Sequence, residues 1–276
     1  MCGASMKRSL LLLWFVCVSF TVALPLGFVD EGVTTYPFVM SAVMVPNPKP
    51  GMNGKPMMII AKKDGMLDVM EDPDNSEVWM NILNITALVC ENGPRGIQTI
   101  VAHPDFLANP YIYVYYTRYI NGCPTNAITG PSDRLSRFTL NRNTLIINGS
   151  SELILVETPP SVNTIHDGGG LFIGNDNNIY LGTGDGGDTD NSQDLRSLWG
   201  KIIRITLNGT TPSDNPYTKS GTGKGVPCRN NRGVPPTNAP VDAVCEEIFS
   251  YGLRSPFRFS EDIDRKSTRL NSSHVD

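Results

Sequence analysis

Short apolar and β-branched runs, separated by turn residues, set the pattern along most of the chain. Residues 57–61 and 66–70 flank Lys62-Lys63-Asp64-Gly65. An Asp-Gly pair between two apolar runs predicts a β-hairpin. Residues 111–117 (YIYVYYT) follow the breaker Asn109-Pro110, and their aromatic and β-branched side chains predict a strand. Residues 134–140 alternate, residues 153–156 form a short apolar run, and residues 178–183 follow the turn cluster Asn175-Asp176-Asn177. Residues 201–206 alternate again and end at Asn208-Gly209. A 3.6-residue period is rare, with a short helical turn predicted only within residues 192–198. Many short strands at close spacing predict an all-β fold, a propeller or a sandwich, and periodicity alone does not separate these.

Composition narrows the function. With 276 residues, 40% of them hydrophobic, the chain has enough apolar surface for a folded domain, which excludes a disordered or collagen-like polymer. Its 23 basic and 27 acidic residues give a net charge of -4, so nucleic acid and anionic membrane surfaces are not the expected partners.

The two ends read differently from the middle. Lys7 and Arg8 precede an apolar stretch over residues 10–23, with small residues at Thr21 and Ala23. That is the layout of a secretory signal, too short for a membrane span, which places residues 1–23 as an address and the protein outside the cell. Residues 264–274 (DRKSTRLNSSH) are what a common sequencing-library adapter encodes in frame. Residues 264–276 are therefore expected to be adapter-derived, and residues 24–263 to be part of a longer protein.

With the ends removed, Cys90, Cys123, Cys228 and Cys245 remain. An even number in a secreted chain predicts two disulfides; of the three connectivities, Cys90–Cys123 with Cys228–Cys245 is the most local. No Cys-x-x-Cys pair exists, which argues against zinc. Asn84-Ile-Thr, Asn148-Gly-Ser and Asn208-Gly-Thr are acceptor sequons for glycosylation.

The chemistry concentrates in the glycine- and aspartate-rich middle. His166-Asp-Gly-Gly-Gly170 precedes a short apolar run, a turn, a strand and Gly184-Asp-Gly-Gly187. One histidine and one aspartate at the ends of neighbouring strands suit a general base and the carboxylate that orients it. Asp185, Asp188, Asp190 and Asp194 offer hard oxygen ligands, but their spacing is not that of an EF-hand, so the loop reads as solvated and acidic. Arg254 stands in Tyr251-Gly-Leu-Arg-Ser-Pro256, where its fork of donors suits a carboxylate.

Taken in order, these segments resemble a known family. The set comprises His103-Pro-Asp-Phe106 with Asn109-Pro-Tyr-Ile-Tyr-Val114, His166-x-x-Gly169, Gly184-Asp-Gly186, Gly200-Lys-Ile-Ile-Arg204 with Asn208-Gly209 and Asp214-Asn-Pro216, and Tyr251-Gly-Leu-Arg-Ser-Pro256. It is similar to the soluble glucose/sorbosone dehydrogenases, including the aldose sugar dehydrogenases, and to the related propeller of hedgehog-interacting-like proteins.

The resemblance implies a six-bladed β-propeller, truncated here to its first three to four blades. It also implies pyrroloquinoline quinone (PQQ) and calcium as cofactors, a small-molecule sugar as substrate, and hydride transfer from the sugar to the quinone. His166 matches the general base, Asp185 the carboxylate that holds it, and Arg254 with Ser255 the positions that contact the quinone. The calcium ligands belong to later blades. Ser255 stands where the family usually carries asparagine, Phe257 where the glucose enzyme has glutamine, and Pro94 where it has a polar side chain. The alternative the resemblance allows is a non-catalytic extracellular propeller that binds a protein ligand.

Overall fold

The turn at Asp64-Gly65 shows how the first sheet is made. Gly65 has φ +106°, and a Cβ there would lie 3.0 Å from the Thr86 backbone, so only glycine closes the turn this tightly. It joins β2 (Pro56–Lys62) to β3 (Met66–Met70); β1 (Val39–Pro46) and β4 (Trp79–Asn84) flank them in the order β1-β2-β3-β4. This is a computed structural model, and it describes residues 38–73, 78–120, 122–124, 130–161, 163–221 and 223–262. The expected signal and adapter segments lie outside the described residues.

Two more four-stranded antiparallel sheets follow. The second runs β5 (Ile97–Ala102), β6 (Tyr111–Thr117), β7 (Ser132–Thr139), β8 (Leu153–Pro160). The third begins with β9 (Gly168–Ile173), β10 (Asn178–Thr183) and β11 (Lys201–Thr206). A short parallel pair, β12 (Gly225–Val226) with β13 (Val244–Cys245), interrupts before β14 (Ile248–Tyr251) completes the order β9-β10-β11-β14. The opening strands of successive sheets pack on one another, β1 against β5 and β5 against β9. That is the blade arrangement of a propeller, with three blades among the described residues.

Strand β6 explains why its sequence reads as one unbroken apolar run. Ile112, Val114 and Tyr116 face the core shared with the first blade, whereas Tyr113 and Tyr115 face the core shared with the third. A period of two therefore buries both faces. In β7 the polar residues Ser132, Asp133, Arg134 and Ser136 are buried as well. Arg134 is only 8% exposed, with Nη1 3.6 Å from Glu152 and Nη2 3.4 Å from Glu157.

The helical turn falls earlier than expected. Helix α1 spans Thr189–Gln193 because the Asp188 side chain accepts from the Asp190 N–H and starts it there. Beyond β14, the chain crosses the inner strands. The Arg258 guanidinium donates to the carbonyls of Met40 (3.0 Å) and Gln98 (3.4 Å) and to Thr99 Oγ1 (3.2 Å), and Thr99 Oγ1 donates to the Gly169 carbonyl. One residue thus ties the first strands of all three blades.

The cysteines pair as Cys90–Cys123 and Cys228–Cys245. The second pair closes a loop with a sequence separation of 17. Loop-closure entropy gives such a crosslink about 3 kcal/mol, so replacing both cysteines with alanine is expected to lower denaturant stability by that amount. An unchanged midpoint in urea would contradict it.

At the β9–β10 turn, Asp176 faces Arg204, with Oδ2 2.7 Å from Nη2. Burial works against the carboxylate, but hydrogen bonds from Asn178 and Arg204 outweigh it and hold the group at about 2 instead of 3.8. A depressed acid stabilises the fold above its ordinary pKa and loses that contribution as pH falls through the folded value. The melting temperature is expected to fall between about pH 4 and pH 2, and Arg204→Gln to flatten that segment; a slope equal to the parent's would refute the pairing.

Candidate active site

Four segments meet at one edge of the third blade because its strands alternate in direction. His166 stands just before β9, Asp185 just after β10, Gly200 just before β11, and Arg254 just after β14. Thr183 pairs with Gly168, and Lys201 with Tyr251. Backbone hydrogen bonds close the edge, from the Gly200 N–H to the Gly184 carbonyl (2.8 Å), from Leu253 to Gly200 (3.1 Å) and from Asp185 to the Arg254 carbonyl (2.9 Å).

At this edge His166 Nδ1 lies 2.7 Å from Asp185 Oδ1. The carboxylate is buried, its side chain 1% exposed, while the imidazole keeps 18% of its surface. Asp185 Oδ1 also accepts from the Gly187 N–H (2.8 Å), and the Asp185 carbonyl accepts from Asn191 Nδ2 (2.9 Å). The carboxylate therefore cannot swing away from the ring. An acceptor at Nδ1 selects the tautomer that carries its proton there, which leaves Nε2 as the basic nitrogen. His166 has φ +59°, in the left-handed region that costs a non-glycine residue roughly 1–3 kcal/mol. The surrounding contacts impose it: the His166 carbonyl accepts from the Gly186 N–H (3.4 Å), and Asn163 Nδ2 donates to the Gly186 carbonyl (2.8 Å).

The loop between Asp185 and β11 is held from below by Lys201, which is fully buried. Its ammonium donates to the carbonyls of Asn191 (2.9 Å), Ser192 (3.1 Å) and Trp199, and burial pushes its pKa down to about 8. Sequence reasoning read the same loop as solvated and acidic. Asp188, Asp190 and Asp194 are indeed exposed, Asp188 and Asp194 capping turns by accepting from the N–H groups of Asp190 and Arg196, whereas Asp185 is buried.

Arg254 is exposed, and among the described residues no hydrogen bond or ion pair holds its guanidinium; Ser255 beside it is half-buried. Phe257 is 41% exposed, with its ring over the backbone at Gly169 and Arg258 stacked on it at 4.0 Å. His103 lies elsewhere, on the turn before β6, where Nδ1 accepts from the Asp105 N–H and the ring meets Tyr111 edge-on. A cleft of about 450 Å³ lined by Phe38, Lys62, Lys63, Asp64 and Glu91 contains none of these site residues.

Among the described residues, the one cluster of metal-ligating side chains is Cys228, Cys245 and Glu247. Its sulfurs are joined to each other, and Glu247 accepts from the N–H groups of Cys228 and Arg229, so it is no metal centre. No helix among the described residues is long and apolar enough to cross a membrane.

Comparison with known proteins bears on the family and the fold. The glucose/sorbosone dehydrogenase family matches residues 51–274. The chain is 31% identical over 144 residues to quinoprotein glucose dehydrogenase B of Acinetobacter calcoaceticus, covering 45% of this chain and 29% of that protein. It is 26% identical over 233 residues to human hedgehog-interacting protein, covering 79% of this chain and 30% of that one. The chain thus spans less than a third of these relatives' lengths. Among solved structures it is similar to the PQQ-bound aldose sugar dehydrogenase of Streptomyces coelicolor. The TM-score is 0.56 at 21% identity, over 80% of this chain and 52% of that one, and the shared feature is the fold.

Proposed function

The chain belongs to the glucose/sorbosone dehydrogenase family, and from that premise we propose that it is part of a secreted quinoprotein that oxidises aldose sugars with PQQ as hydride acceptor. The observation that carries the reading is the 2.7 Å contact between His166 Nδ1 and the buried Asp185 carboxylate at one edge of a propeller blade.

Nε2 of His166 takes the proton from the sugar hydroxyl at the carbon being oxidised. Asp185 fixes the ring's orientation and stabilises the imidazolium that results. The unpaired guanidinium of Arg254 fits an anionic, carboxylate-bearing cofactor, so Arg254 and Ser255 would hold PQQ against this edge. When bound, PQQ supplies the electron sink; the protein supplies position and charge. Among the described residues no three carboxylates cluster closely enough to hold calcium, the family's other cofactor. The sequon asparagines Asn84, Asn148 and Asn208 are all exposed, which suits glycosylation on a secreted chain. The test is dye reduction by the full-length protein supplied with PQQ and calcium across a panel of aldoses. Reduction with at least one sugar is expected, and none above the protein without PQQ would refute the reading.

The second reading is an extracellular propeller that binds a protein ligand without turnover. The longer reach of the hedgehog-interacting match, 79% of the chain against 45%, favours it. Stoichiometric quinone and turnover in protein from its natural source would exclude it.

A further inference from the structure

The His166–Asp185 pair rests on a buried polar cluster that the proposed reaction does not use. Its centre is Arg95, a guanidinium with no exposed surface, just before β5. Arg95 Nε donates to Ser161 Oγ (3.3 Å) and Nη2 to the Ser161 carbonyl (2.5 Å). Nη1 donates to Asn92 Oδ1 (3.3 Å) and to the carbonyls of Cys123 (3.3 Å) and Pro124 (3.1 Å). Ser161 Oγ in turn donates to Asp167 Oδ1 (2.9 Å). Asp167 is the residue after His166 and is 6% exposed; its Oδ2 is buried and has no hydrogen-bond partner. Its carbonyl accepts from Tyr115 Oη (3.2 Å). A second buried acid, Asp133 on β7, accepts from Thr117 Oγ1 (2.7 Å).

Two buried carboxyls therefore face one buried cation. Burial raises the pKa of both acids, that of Asp133 further through the charge of Asp167, and Arg95 offsets only part of the rise. A buried carboxylate with one oxygen unpartnered stays in place only if a charge nearby compensates it. Arg95 is that charge, and it reaches Asp167 through Ser161.

We infer that Arg95 is a positioning residue for His166. It acts through Ser161 and Asp167, whose positions it fixes so that the left-handed backbone at His166 delivers Nδ1 to Asp185. The chain of contacts runs from the Cys90–Cys123 crosslink, whose Cys123 carbonyl takes one Arg95 N–H, to the imidazole. Without Arg95, the Ser161 hydroxyl and carbonyl lose their donor, and the buried Asp167 carboxyl loses the cation that favours its charged form. Ser161 and Asp167 shift, and the histidine loses its fixed contact.

The experiment is proton NMR of the full-length protein, reading the low-field Nδ1 proton of His166, assigned by its loss in His166→Ala. Arg95→Met is expected to shift or broaden that signal, and Arg95→Lys, which keeps the charge, to retain part of it. Ser161→Ala removes the bridge while keeping the Arg95 charge and is expected to change the signal in the same direction; it decides the matter if Arg95→Met does not fold. An unchanged signal in folded Arg95→Met or in Ser161→Ala overturns the inference. A second readout rests on the proposed dehydrogenase reaction. In the PQQ-loaded protein kcat is expected to fall roughly ten- to a hundredfold with KM unchanged, as for a misplaced group; equal loss of active protein at unaltered kcat per folded molecule would contradict it. If the parent shows no turnover, the proposed reaction fails while the NMR result still decides the role of Arg95.

Discussion

Gly184→Ala is expected to take apart the edge of the third blade. A Cβ at that position would lie 1.4 Å from the His166 carbonyl oxygen, 2.2 Å from its carbonyl carbon and 2.9 Å from the Gly168 nitrogen. Those atoms are backbone, so no side-chain rotation relieves the clash. Real Cβ contacts essentially never fall below 3.0 Å, and the segments before β9 and after β10 would have to part. Forcing a methyl into such a site costs about 3 kcal/mol or more, and here the displaced residues are His166 and Asp185 themselves. Gly186→Ala is the matched control. Its Cβ would meet nothing closer than Trp199 at 3.7 Å, and φ +68° leaves only the left-handed penalty, roughly 1–2 kcal/mol. Denaturant melts of the two variants should differ clearly, with Gly184→Ala much the weaker. Equal midpoints would mean that the close approach of the two segments is not tight in solution.

The second large effect is on turnover. In the quinone-loaded full-length protein, His166→Ala should lower kcat by roughly 10²–10⁴, the usual contribution of a positioned general base, and leave the melting temperature near that of the parent. Asp185→Asn should lose activity on a similar scale. The amide keeps the volume and can still meet Nδ1, but it no longer offsets the charge that develops on the ring. Because Asp185 also accepts from the Gly187 N–H, the asparagine variant should lose some stability as well. A variant that melts like the parent and turns over at the parent's rate would remove His166 or Asp185 from the chemistry.

The parts of this arrangement that sequence discloses are those where one residue type has one physical use. Strands β3, β6, β10 and β11 begin and end where the alternation and the turn residues place them. The Asp-Gly hairpin and the most local cysteine pairing are also as read. His166 and Asp185 stand out because glycines surround them, and those glycines exist to let two backbones meet. Strands β1, β4, β5, β9 and β14 are harder to see. β9 opens on Gly168-Gly169-Gly170, which leaves only the three apolar residues 171–173 to mark it, and β14 is only four residues long.

What the pattern hides most completely are the buried charges. Arg95 and Lys201 read as surface residues because lone cations are seldom buried. Their burial depends on rings of backbone carbonyls, for Arg95 from segments far apart in sequence such as Cys123 and Ser161, and for Lys201 from the preceding loop. Asp167 is hidden for the same reason, since its neighbour His166 draws the eye while its own partner, Ser161, stands in the preceding loop. The one available signal was positional. Lys201 opens a strand buried on both faces and directly follows a glycine whose own Cβ would strike Ser192.

The central claim is that the His166–Asp185 edge performs proton removal in a quinone-dependent sugar oxidation. Its most direct test is a single-turnover mix of aldose with the PQQ-loaded full-length protein, following loss of the oxidised quinone's absorbance in the parent and in His166→Ala. The expected result is bleaching in the parent with every active sugar, and bleaching slowed roughly 10²–10⁴-fold in the variant at equal quinone content. Bleaching at the same rate in both, with quinone bound in both, would contradict the claim.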